Sequence, residues 1–386
     1  MKTLRTWIEV DPKALVHNIK EFLRLIPQGT RLMAVVKSNA YGHGLVPIAK
    51  TLFALRSFSE GGWFGVDSVV EALRLRREGI TNPILVLGLT LPSRIEEASS
   101  QNIIVTVSNF EALRSLVGVG QRPPLHIKID TGMHRQGFLL SDVPRLLGLV
   151  KRFKIFPAGL YTHFSSAKDQ AYPTYTNFQF DQFKKASQLF EKAGFKNLVC
   201  HAAASGGTIL FPHTHLDMVR IGMGLYGYWP SPESKIVLPN TDRSVKNKKP
   251  KVILEPVLTW KTVVGEIKEI PRGSYVSYDL TERVSRQTKI AILPIGYWHG
   301  YDRGLSNIGE VLIRGKRRRV LGRVTMDMTI VDVTDGPGVK VGDEVIIIGR
   351  QKNESLWADE LALKIGTSQY EFLTRINPLI KRFLVS

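Results

Sequence analysis

One lysine and the turn that follows it form the segment best suited to covalent chemistry. Lys37 ends the apolar run Leu-Met-Ala-Val-Val, and Ser-Asn-Ala-Tyr-Gly-His-Gly follows at once. A run rich in β-branched residues predicts a buried strand, and a lysine desolvated at its tip loses proton affinity and becomes a usable nucleophile or base. The ordinary alternative is a strand that ends on a solvated lysine, because most lysines are exposed.

Further apolar runs predict the scaffold that carries this lysine. Most of them lack alternation, as expected for strands buried on both faces of a parallel sheet. They are Leu32–Lys37, Trp63–Asp67, Ile84–Gly88, Ile103–Val107, Leu125–Asp130, Ala158–Phe164, Leu198–Ser205 and Met218–Gly222. Helical spacings of three and four residues lie between several of them. Eight such units predict an α/β fold, a closed (β/α)8 TIM-type barrel.

The polar residues of these runs stand where a barrel enzyme has its active site, at the C-terminal ends of the strands. They are Lys37, Asp67, Lys128, Asp130, His163, His201, Ser205 and Arg220. The pattern therefore predicts a barrel enzyme before any relative is considered.

The pattern changes after Tyr228. The stretch through Lys251 is rich in Pro, Ser, Asn and Lys and predicts a connection between domains. Short β-rich runs follow, and the clearest are Val252–Lys268, Tyr275–Tyr278, Lys289–Ile295, Val311–Ile313, Thr329–Val333 and Glu344–Ile348. The basic segment Arg314–Arg319 predicts a hairpin turn after Val311–Ile313. Together with two short helical patterns, these runs predict a mainly antiparallel C-terminal β domain. We expect residues 1–11 to form an N-terminal strand packing with that domain, residues 12–238 to form the barrel, and residues 239–386 to form the β-rich domain.

The bulk composition narrows the class of protein. The chain has 386 residues, 43% of them hydrophobic and 23% charged, which is ordinary for a soluble globular protein. Its formal net charge of +19 raises the question of nucleic acid, but no aromatic residues interleave with the basic runs as a stacking platform requires. The single cysteine excludes an intramolecular disulfide. We expect a cytoplasmic protein with no signal peptide, membrane span or Cys/His-type metal site.

Three motifs carry a resemblance to a known family. They are Ala-Val-Val-Lys37-Ser-Asn-Ala-Tyr41, Lys128-Ile-Asp-Thr-Gly-Met-His-Arg135 and Leu321-Gly-Arg-Val-Thr-Met-Asp327. The chain resembles the alanine racemase family, fold-type III pyridoxal-phosphate enzymes, over nearly its whole length. The resemblance implies an isomerase that interconverts L- and D-alanine, supplies D-alanine for peptidoglycan and acts as a head-to-tail homodimer with shared active sites.

The resemblance implies a set of residues for the cofactor. Lys37 would supply the amine with which the pyridoxal phosphate aldehyde condenses. The phosphate would lie on Ser205, Gly222 and Met223, in the loops after the last two barrel strands, with Tyr41 adding a hydroxyl. Arg220 resembles the arginine that faces the pyridine nitrogen, where a permanent cation disfavours protonation of that nitrogen. His163 and Tyr370 complete the cofactor set.

Inversion of one carbon requires acid–base groups on its two faces. Lys37 would serve one face, and Tyr278 matches the family's second base, contributed across the dimer interface. The ordinary tyrosine pKa of ~10 is too high for a base near neutrality. His163 and Arg220 are candidates for a hydrogen-bonded chain that lowers it.

The substrate would be held by residues of the same motifs. Arg135 and the backbone N–H of Met326 would bind its carboxylate, and Tyr297 matches an aromatic residue at the mouth of the pocket. Lys128 matches a lysine that is often carbamylated in the family and orients the arginine. His201 and Asp327 would support the site.

Several positions depart from the family pattern. Ala204 replaces an Asn, Asp279 replaces a Gly, Thr325 replaces a Cys, and Trp298-His299 replaces Ala-Asp. A racemase of broader or shifted specificity, for serine or other amino acids, is therefore the nearest alternative. A fold-related amino-acid decarboxylase, a non-catalytic cofactor-binding module and a basic nucleic-acid-binding protein are the more distant ones.

Overall fold

A computed structural model describes residues 4–169, 173–231, 234–235 and 252–385. The predicted connection from Tyr228 to Lys251 lies largely outside these residues. Two compact units are present. One comprises residues 4–13, 39–47 and 256–385, and the other comprises residues 14–38 and the described part of 48–255.

The strands in chain order are β1 (Thr6–Val10), β2 (Arg31–Val35), β3 (Trp63–Val66), β4 (Ile84–Val86), β5 (Val105–Val107), β6 (Leu125–Lys128), β7 (Gly159–Tyr161), β8 (Val199–His201), β9 (Met218–Ile221), β10 (Leu258–Val263), β11 (Glu266–Ile270), β12 (Thr288–Leu293), β13 (Glu310–Ile313), β14 (Lys316–Arg319), β15 (Thr329–Asp332), β16 (Glu344–Gln351), β17 (Glu354–Leu356) and β18 (Arg382–Leu384).

The helices are α1 (Pro12–Leu25), α2 (Lys37–Tyr41), α3 (Leu45–Phe53), α4 (Arg56–Ser59), α5 (Val69–Arg77), α6 (Ile95–Ser100), α7 (Phe110–Arg114), α8 (Val143–Arg152), α9 (Pro173–Lys192), α10 (Ser205–Leu210), α11 (Ala358–Lys364) and α12 (Gln369–Thr374). Short 3-10 helices lie at Pro92–Arg94, Leu140–Asp142, Pro212–Thr214, Met223–Tyr226, Tyr278–Leu280, Tyr297–His299 and Arg303–Leu305.

Strands β2 to β9 form a parallel barrel. They pair as two sheets in the orders β4-β3-β2-β9 and β5-β6-β7-β8. Single bridges between Leu85 and Ile104, and between Ala204 and Arg220, join the two sheets into a ring. Every residue of β4, β5, β6, β7 and β9 is buried. Burial on both faces is the physical reason for the continuous apolar runs, and the predicted fold class is confirmed.

The unit made of residues 4–13, 39–47 and 256–385 is built on mainly antiparallel sheets. Its larger sheet has the order β14-β13-β16-β10-β1-β18, with β17 beside β16, and its smaller sheet has the order β11-β12-β15. Strand β1 pairs antiparallel with β10 and parallel with β18. Buried and half-buried residues alternate along β10, which is typical of a sheet with one covered face.

Three local predictions in this unit differ from the structure, and one of them, the strand at Tyr275–Tyr278, was wrong. The run Val252–Lys268 is divided into β10 and β11. The run Tyr275–Tyr278 forms no strand, and only Tyr275 makes an isolated bridge, to Arg283. The basic segment Arg314–Arg319 does lie in a hairpin, as predicted, but the turn is only Arg314-Gly315, and β14 begins at Lys316. That strand is stabilised by pairing with β13 and by ion pairs of Arg317 with acidic residues distant in sequence.

None of the helices within the described ranges is long and apolar enough to cross a membrane.

Candidate active site

Lys37 lies in an unusual backbone turn. Strand β2 ends at Val35, and Lys37 opens a helical turn in which Ser38, Asn39, Ala40 and Tyr41 have φ between 52° and 55°. Left-handed backbone of this kind costs L-residues roughly 1–2 kcal/mol each. Two hydrogen bonds offset part of that cost. The N–H groups of Gly44 and Leu45 donate to the backbone and side-chain oxygens of Asn39. Such strain persists only where the surroundings over-determine it, which occurs most often at functional sites.

The Lys37 amine faces a carboxylate at the end of the neighbouring strand. Its Nζ lies 3.4 Å from Oδ1 of Asp67, which follows β3. The two side chains are 37% and 55% exposed. The prediction of a desolvated lysine is therefore wrong for the isolated chain. The amine projects beyond the strand end toward an exposed carboxylate, so it keeps access to water.

Arg220 on β9 makes four hydrogen bonds inside the barrel. It is 3% exposed, and its guanidinium donates to the carbonyl oxygens of Thr162 and Ala202, both at 2.7 Å. It also donates to Nδ1 of His201 at 2.6 Å and lies 3.3 Å from Nδ1 of His163. Arginine has no acceptor, so both histidine nitrogens must accept. The structure thus places three of the predicted site residues in one hydrogen-bonded cluster.

The environment of this cluster sets the charge states of its members: Arg220 is a cation, and the two histidine rings are neutral. Burial and then the Arg220 charge hold the pKa values of His163 and His201 well below the ordinary histidine value. Burial lowers the pKa of Arg220 to about 10, so the guanidinium remains charged near neutrality. The cluster therefore presents a permanent positive charge that its histidine neighbours do not share.

Lys128 lies at the end of β6 and is almost fully buried, with 6% exposure. Its Nζ donates to Oε1 of Gln136 at 3.0 Å and lies 5.5 Å from the centre of the Tyr161 ring. Burial, followed by the charges of Arg135 and Arg220, lowers the pKa of Lys128 to about 8. A large share of its amine is consequently uncharged under mildly alkaline conditions.

Asp130 organises the loop that carries Arg135. Its carboxylate accepts from the backbone N–H groups of Gly132, His134 and Arg135 at 2.9 to 3.0 Å. These bonds lower the pKa of Asp130 despite its burial, so the loop is held by a carboxylate. The Arg135 side chain itself is exposed.

Ser205 joins the two loops predicted to hold phosphate. Its Oγ accepts from the N–H groups of Gly222 and Gly224 at 3.0 and 3.3 Å. The residue is 3% exposed and Met223 is 1% exposed. Neither bond uses the hydroxyl hydrogen of Ser205, which can still be donated. A Cβ at Gly206 would lie 2.6 Å from the Ala167 carbonyl oxygen, so close packing in this segment requires glycine.

Tyr41 and Tyr370 lie together in the β-rich unit, with ring centres 6.1 Å apart. Burial raises the pKa of Tyr370 to about 12, and burial followed by Tyr370 raises that of Tyr41 further. Both phenols therefore keep their hydrogens and can act only as neutral hydrogen-bonding groups near neutrality.

Tyr278 lies in a strained, exposed loop of the same unit. Ser277, Asp279 and Leu280 have φ of 63°, 63° and 52°, and Tyr278 is 68% exposed. Ser277 Oγ donates to the carbonyl oxygen of Arg323 at 2.7 Å, and Arg323 Nε donates to Asp279 at 3.2 Å. The left-handed residues, not the composition of the run, prevent the predicted strand.

Tyr297 and Met326 lie on neighbouring backbones. The N–H of Tyr297 donates to the carbonyl oxygen of Thr325, and the N–H of Trp298 donates to that of Met326, both at 3.0 Å. A Cβ at Gly296 would lie 2.1 Å from the Thr325 oxygen, so this approach requires glycine. Tyr297 and Met326 remain 43% and 56% exposed. Asp327, next in the chain, counters the lowering of the His299 pKa that burial causes.

Comparison with known proteins identifies the family. Residues 10–230 match the family model described as alanine racemase, N-terminal domain, and residues 257–384 match alanine racemase, C-terminal domain. The chain belongs to the alanine racemase family. Alanine racemase from Leptospira interrogans serogroup Icterohaemorrhagiae serovar Lai is 39% identical over 387 residues, covering 99% of this chain and 96% of the relative. That of Symbiobacterium thermophilum is 40% identical over 383 residues, covering 98% and 96%.

Solved structures agree with this membership of the alanine racemase family. The crystal structure of alanine racemase from Bacillus anthracis with bound L-Ala-P has a TM-score of 0.89 at 34% identity, covering 99% of this chain and 95% of that one. Alanine racemase from Streptomyces coelicolor A3(2) has a TM-score of 0.88 at 31% identity, covering 100% and 99%.

The prediction from the sequence omitted one member of the buried cluster, His126. Because His201 Nδ1 accepts from Arg220, its Nε2 carries the hydrogen and donates to Nδ1 of His126 at 2.9 Å. Burial, then Arg220, lowers the pKa of His126 to about 3. Alternation along β6 was an available signal, since His126 stands two residues before Lys128 and shares its face.

Proposed function

We propose that this chain is an alanine racemase that uses pyridoxal phosphate to interconvert L- and D-alanine and so supplies D-alanine for peptidoglycan. One observation carries the proposal. Strands β2 and β9 are paired neighbours, with Met33 opposite Arg220, so the lysine after β2 and the cation and glycine loop of β9 belong to the same end of the barrel. An amine, a fixed cation and a Ser–Gly loop at one barrel end are the groups that an anionic aldehyde cofactor requires.

The donor set fits the phosphate and the ring of that cofactor. Ser205 would donate its unused hydroxyl hydrogen, with the backbone at Gly222 and Met223 beside it. Tyr41 and Tyr370 would act as neutral phenols, since their raised pKa values keep them from adding negative charge next to a phosphate. When bound, pyridoxal phosphate supplies an aldehyde that condenses with amines and a ring that withdraws electrons from the substrate Cα–H bond.

Arg220 would determine which reaction is favoured. Its charge is fixed by four contacts to acceptors, and its histidine neighbours are neutral. A permanent cation facing a ring nitrogen disfavours protonation of that nitrogen, which weakens the ring as an electron sink. With the cofactor bound, the Arg220 cation would therefore favour return of the proton to Cα, and so racemisation over transamination.

Lys37 and Tyr278 would move the proton on the two faces of Cα. In the structure the Lys37 amine lies beside the Asp67 carboxylate, and the left-handed turn holds the Lys37 backbone. The exposure of Tyr278, at 68%, supports a role across a subunit boundary rather than in the core of its own unit. The proposal therefore includes a head-to-tail homodimer. In each active site, Lys37 and Tyr278 of the partner subunit would act as the two acid–base groups.

Arg135, the N–H of Met326 and Tyr297 would bind a small amino acid. The Asp130 carboxylate holds the Arg135 backbone, and a guanidinium matches a substrate carboxylate in geometry and charge. His163 and His201 contact Arg220 as neutral rings, and Lys128 lies near enough for the Arg220 charge to lower its pKa. Asp327 would support the loop beside Met326.

Chiral analysis of alanine tests the proposal directly. L-alanine incubated with the chain and added pyridoxal phosphate should approach an equal mixture of enantiomers, because the enantiomers have equal free energies. L-serine and L-lysine in parallel distinguish a broader racemase. Retention of pure L-alanine by a chain that binds the cofactor would contradict the proposal, and release of carbon dioxide from diamino acids would indicate a decarboxylase.

Carbamylation of Lys128 is expected from its microenvironment. Only the neutral amine reacts with carbon dioxide, forming an N–C bond and releasing one proton. With a pKa of about 8, about a quarter of the amine is neutral at pH 7.5, against roughly 0.1% for an ordinary lysine. We expect a carbamate carbon signal in NMR spectra recorded with 13C-labelled bicarbonate, stronger at pH 8.5 than at pH 6.5 because protonation below pH 8 removes the reactive form.

The matched variant for that measurement is Lys128→Gln, which keeps a polar group beside Gln136. It should lack the signal and lose racemase activity about tenfold, since Arg135 would lose an anionic partner. An unmodified Lys128 at pH 8.5, or an unchanged signal in the variant, would disprove the carbamate at this position.

A further inference from the structure

We infer that Glu71 is a positioning residue that fixes the backbone carrying Lys37, an inference that rests on the proposed role of Lys37 in cofactor binding. The Glu71 carboxylate accepts two backbone hydrogen bonds. Oε1 accepts from the N–H of Ser38 at 2.7 Å, and Oε2 accepts from the N–H of Asp67 at 2.8 Å. One carboxylate therefore joins the residue after the lysine to the residue whose carboxylate faces the lysine amine.

The carboxylate is itself held by the start of α5. Ser68 caps this helix, and its hydroxyl accepts from the N–H of Glu71 at 3.4 Å. In an ordinary capping box the glutamate would return to the N–H of the capping residue. Here it reaches one residue further back, to Asp67, and across to Ser38. The buried residues of α5, among them Val69 and Leu73, anchor the helix against the barrel.

Ser38 needs an external acceptor because the sheet no longer supplies one. The last ladder-like bond after β2 runs from the N–H of Val36 to the carbonyl oxygen of Gly65. Ser38 then enters the left-handed region with φ of 55°. Glu71 satisfies its N–H with a charged acceptor, the stronger kind of hydrogen bond. The bond holds the backbone in a conformation that serine rarely adopts.

The residue that faces the Lys37 amine is held by the same carboxylate. Lys37 Nζ lies 3.4 Å from Asp67, and the backbone of Asp67 is the second group that Glu71 holds. The path Lys37–Ser38–Glu71–Asp67–Lys37 is closed. A lysine whose backbone is already held loses less conformational freedom when it forms a covalent bond, which improves the affinity for an aldehyde without any direct contact from Glu71.

Two substitutions of Glu71 grade the effect. Glu71→Gln keeps one acceptor and turns an amide N–H₂ toward the other backbone donor, and Glu71→Ala removes both acceptors. We expect the dissociation constant for pyridoxal phosphate, measured by absorbance of the lysine-bound cofactor, to rise about tenfold and about a hundredfold, respectively. In the cofactor-free chain, hydrogen exchange of the Ser38 amide should accelerate at least roughly tenfold in both variants.

Two controls separate positioning from general stability. Glu111→Gln changes another first-turn glutamate, which interacts with Arg114 instead, and should leave the cofactor constant unchanged. Leu73→Ala destabilises the same helix from its buried face and leaves Glu71 unchanged. It should lower the melting temperature but raise the cofactor dissociation constant less than Glu71→Ala does. A Glu71→Ala chain that folds and binds pyridoxal phosphate as tightly as the parent, or that leaves Ser38 exchange unchanged, overturns the inference. Failure of the parent chain itself to bind the cofactor would instead overturn the proposed function.

Discussion

Lys37→Ala should abolish racemisation and covalent capture of the cofactor together. The substitution removes the amine that would condense with the aldehyde and, on the proposed mechanism, one of the two proton-transfer groups. We expect the rate of D-alanine formation to fall at least about 1,000-fold. Borohydride treatment followed by intact mass measurement should add the cofactor to the parent chain and not to the variant.

Lys37→Arg is the matched control for charge and stability. Arginine can keep the ion pair with Asp67, which is exposed and contributes little to folding, yet it cannot condense with an aldehyde under these conditions. Both variants should unfold at nearly the parent temperature. Added methylamine should restore part of the activity of Lys37→Ala alone, because a small amine can enter the space of the missing side chain. Racemisation at parental rates in either variant would remove Lys37 from the mechanism.

The barrel was predictable because its strands obey a simple physical rule. Strands covered on both faces are largely apolar, so β4 appears in the sequence as a continuous run and β9 as a run interrupted only by Arg220. A polar residue that ends such a run must then lie at the rim. This rule located Lys37 and Lys128 without any knowledge of their contacts. Arg220 was also predicted as a site residue, but it lies one position before the end of β9 and is buried.

The turn that carries Lys37 was not predictable by the same reasoning. Nothing in Ser-Asn-Ala-Tyr requires four left-handed residues, and alanine and tyrosine disfavour that conformation. The turn depends on acceptors supplied elsewhere, including Glu71, which lies 33 residues further along the chain. The exposure of Lys37 was misjudged for a related reason, because the local pattern describes the strand and not the space beyond its tip.

The turn of the β13–β14 hairpin was predicted too long. Its basic residues from Lys316 onward form β14, because they pair with β13 and Arg317 forms ion pairs with Glu310, Glu354 and Glu360. Tyr-Val-Ser-Tyr misled in the opposite direction. It has the composition of a strand, yet Ser277 and Asp279 adopt positive φ and present Tyr278 to solvent. Both errors arise from partners that are distant in sequence.

Tyr278→Phe should lower kcat/KM about 100- to 10,000-fold, the range expected when a general acid–base group is removed. The loss must be equal in the two directions, because the enantiomers are equally stable and the ratio of the two kcat/KM values is fixed at one. Exchange of the Cα hydrogen with solvent is the measurement that separates the two faces. With Lys37 intact, one enantiomer of α-deuterated alanine should still lose its label without inversion, while the other keeps it. Tyr275→Phe, which removes a similarly exposed phenol three residues earlier, should change neither rate.

Mixing the two inactive variants decides where Tyr278 acts. If each site combines Lys37 of one subunit with Tyr278 of its partner, a hybrid of Lys37→Ala and Tyr278→Phe contains one doubly altered site and one intact site. Random exchange of subunits makes half of the dimers hybrid, so about a quarter of the parental activity should return. If both residues came from the same subunit, every site would carry one lesion and mixing would restore nothing. Because Tyr278 is so exposed on a loop held in strained backbone, we expect recovery.

The deuterium-exchange experiment has its own contrary outcome. If the Tyr278→Phe variant removed the label from both enantiomers of α-deuterated alanine at parental rates, Tyr278 would be excluded as a base.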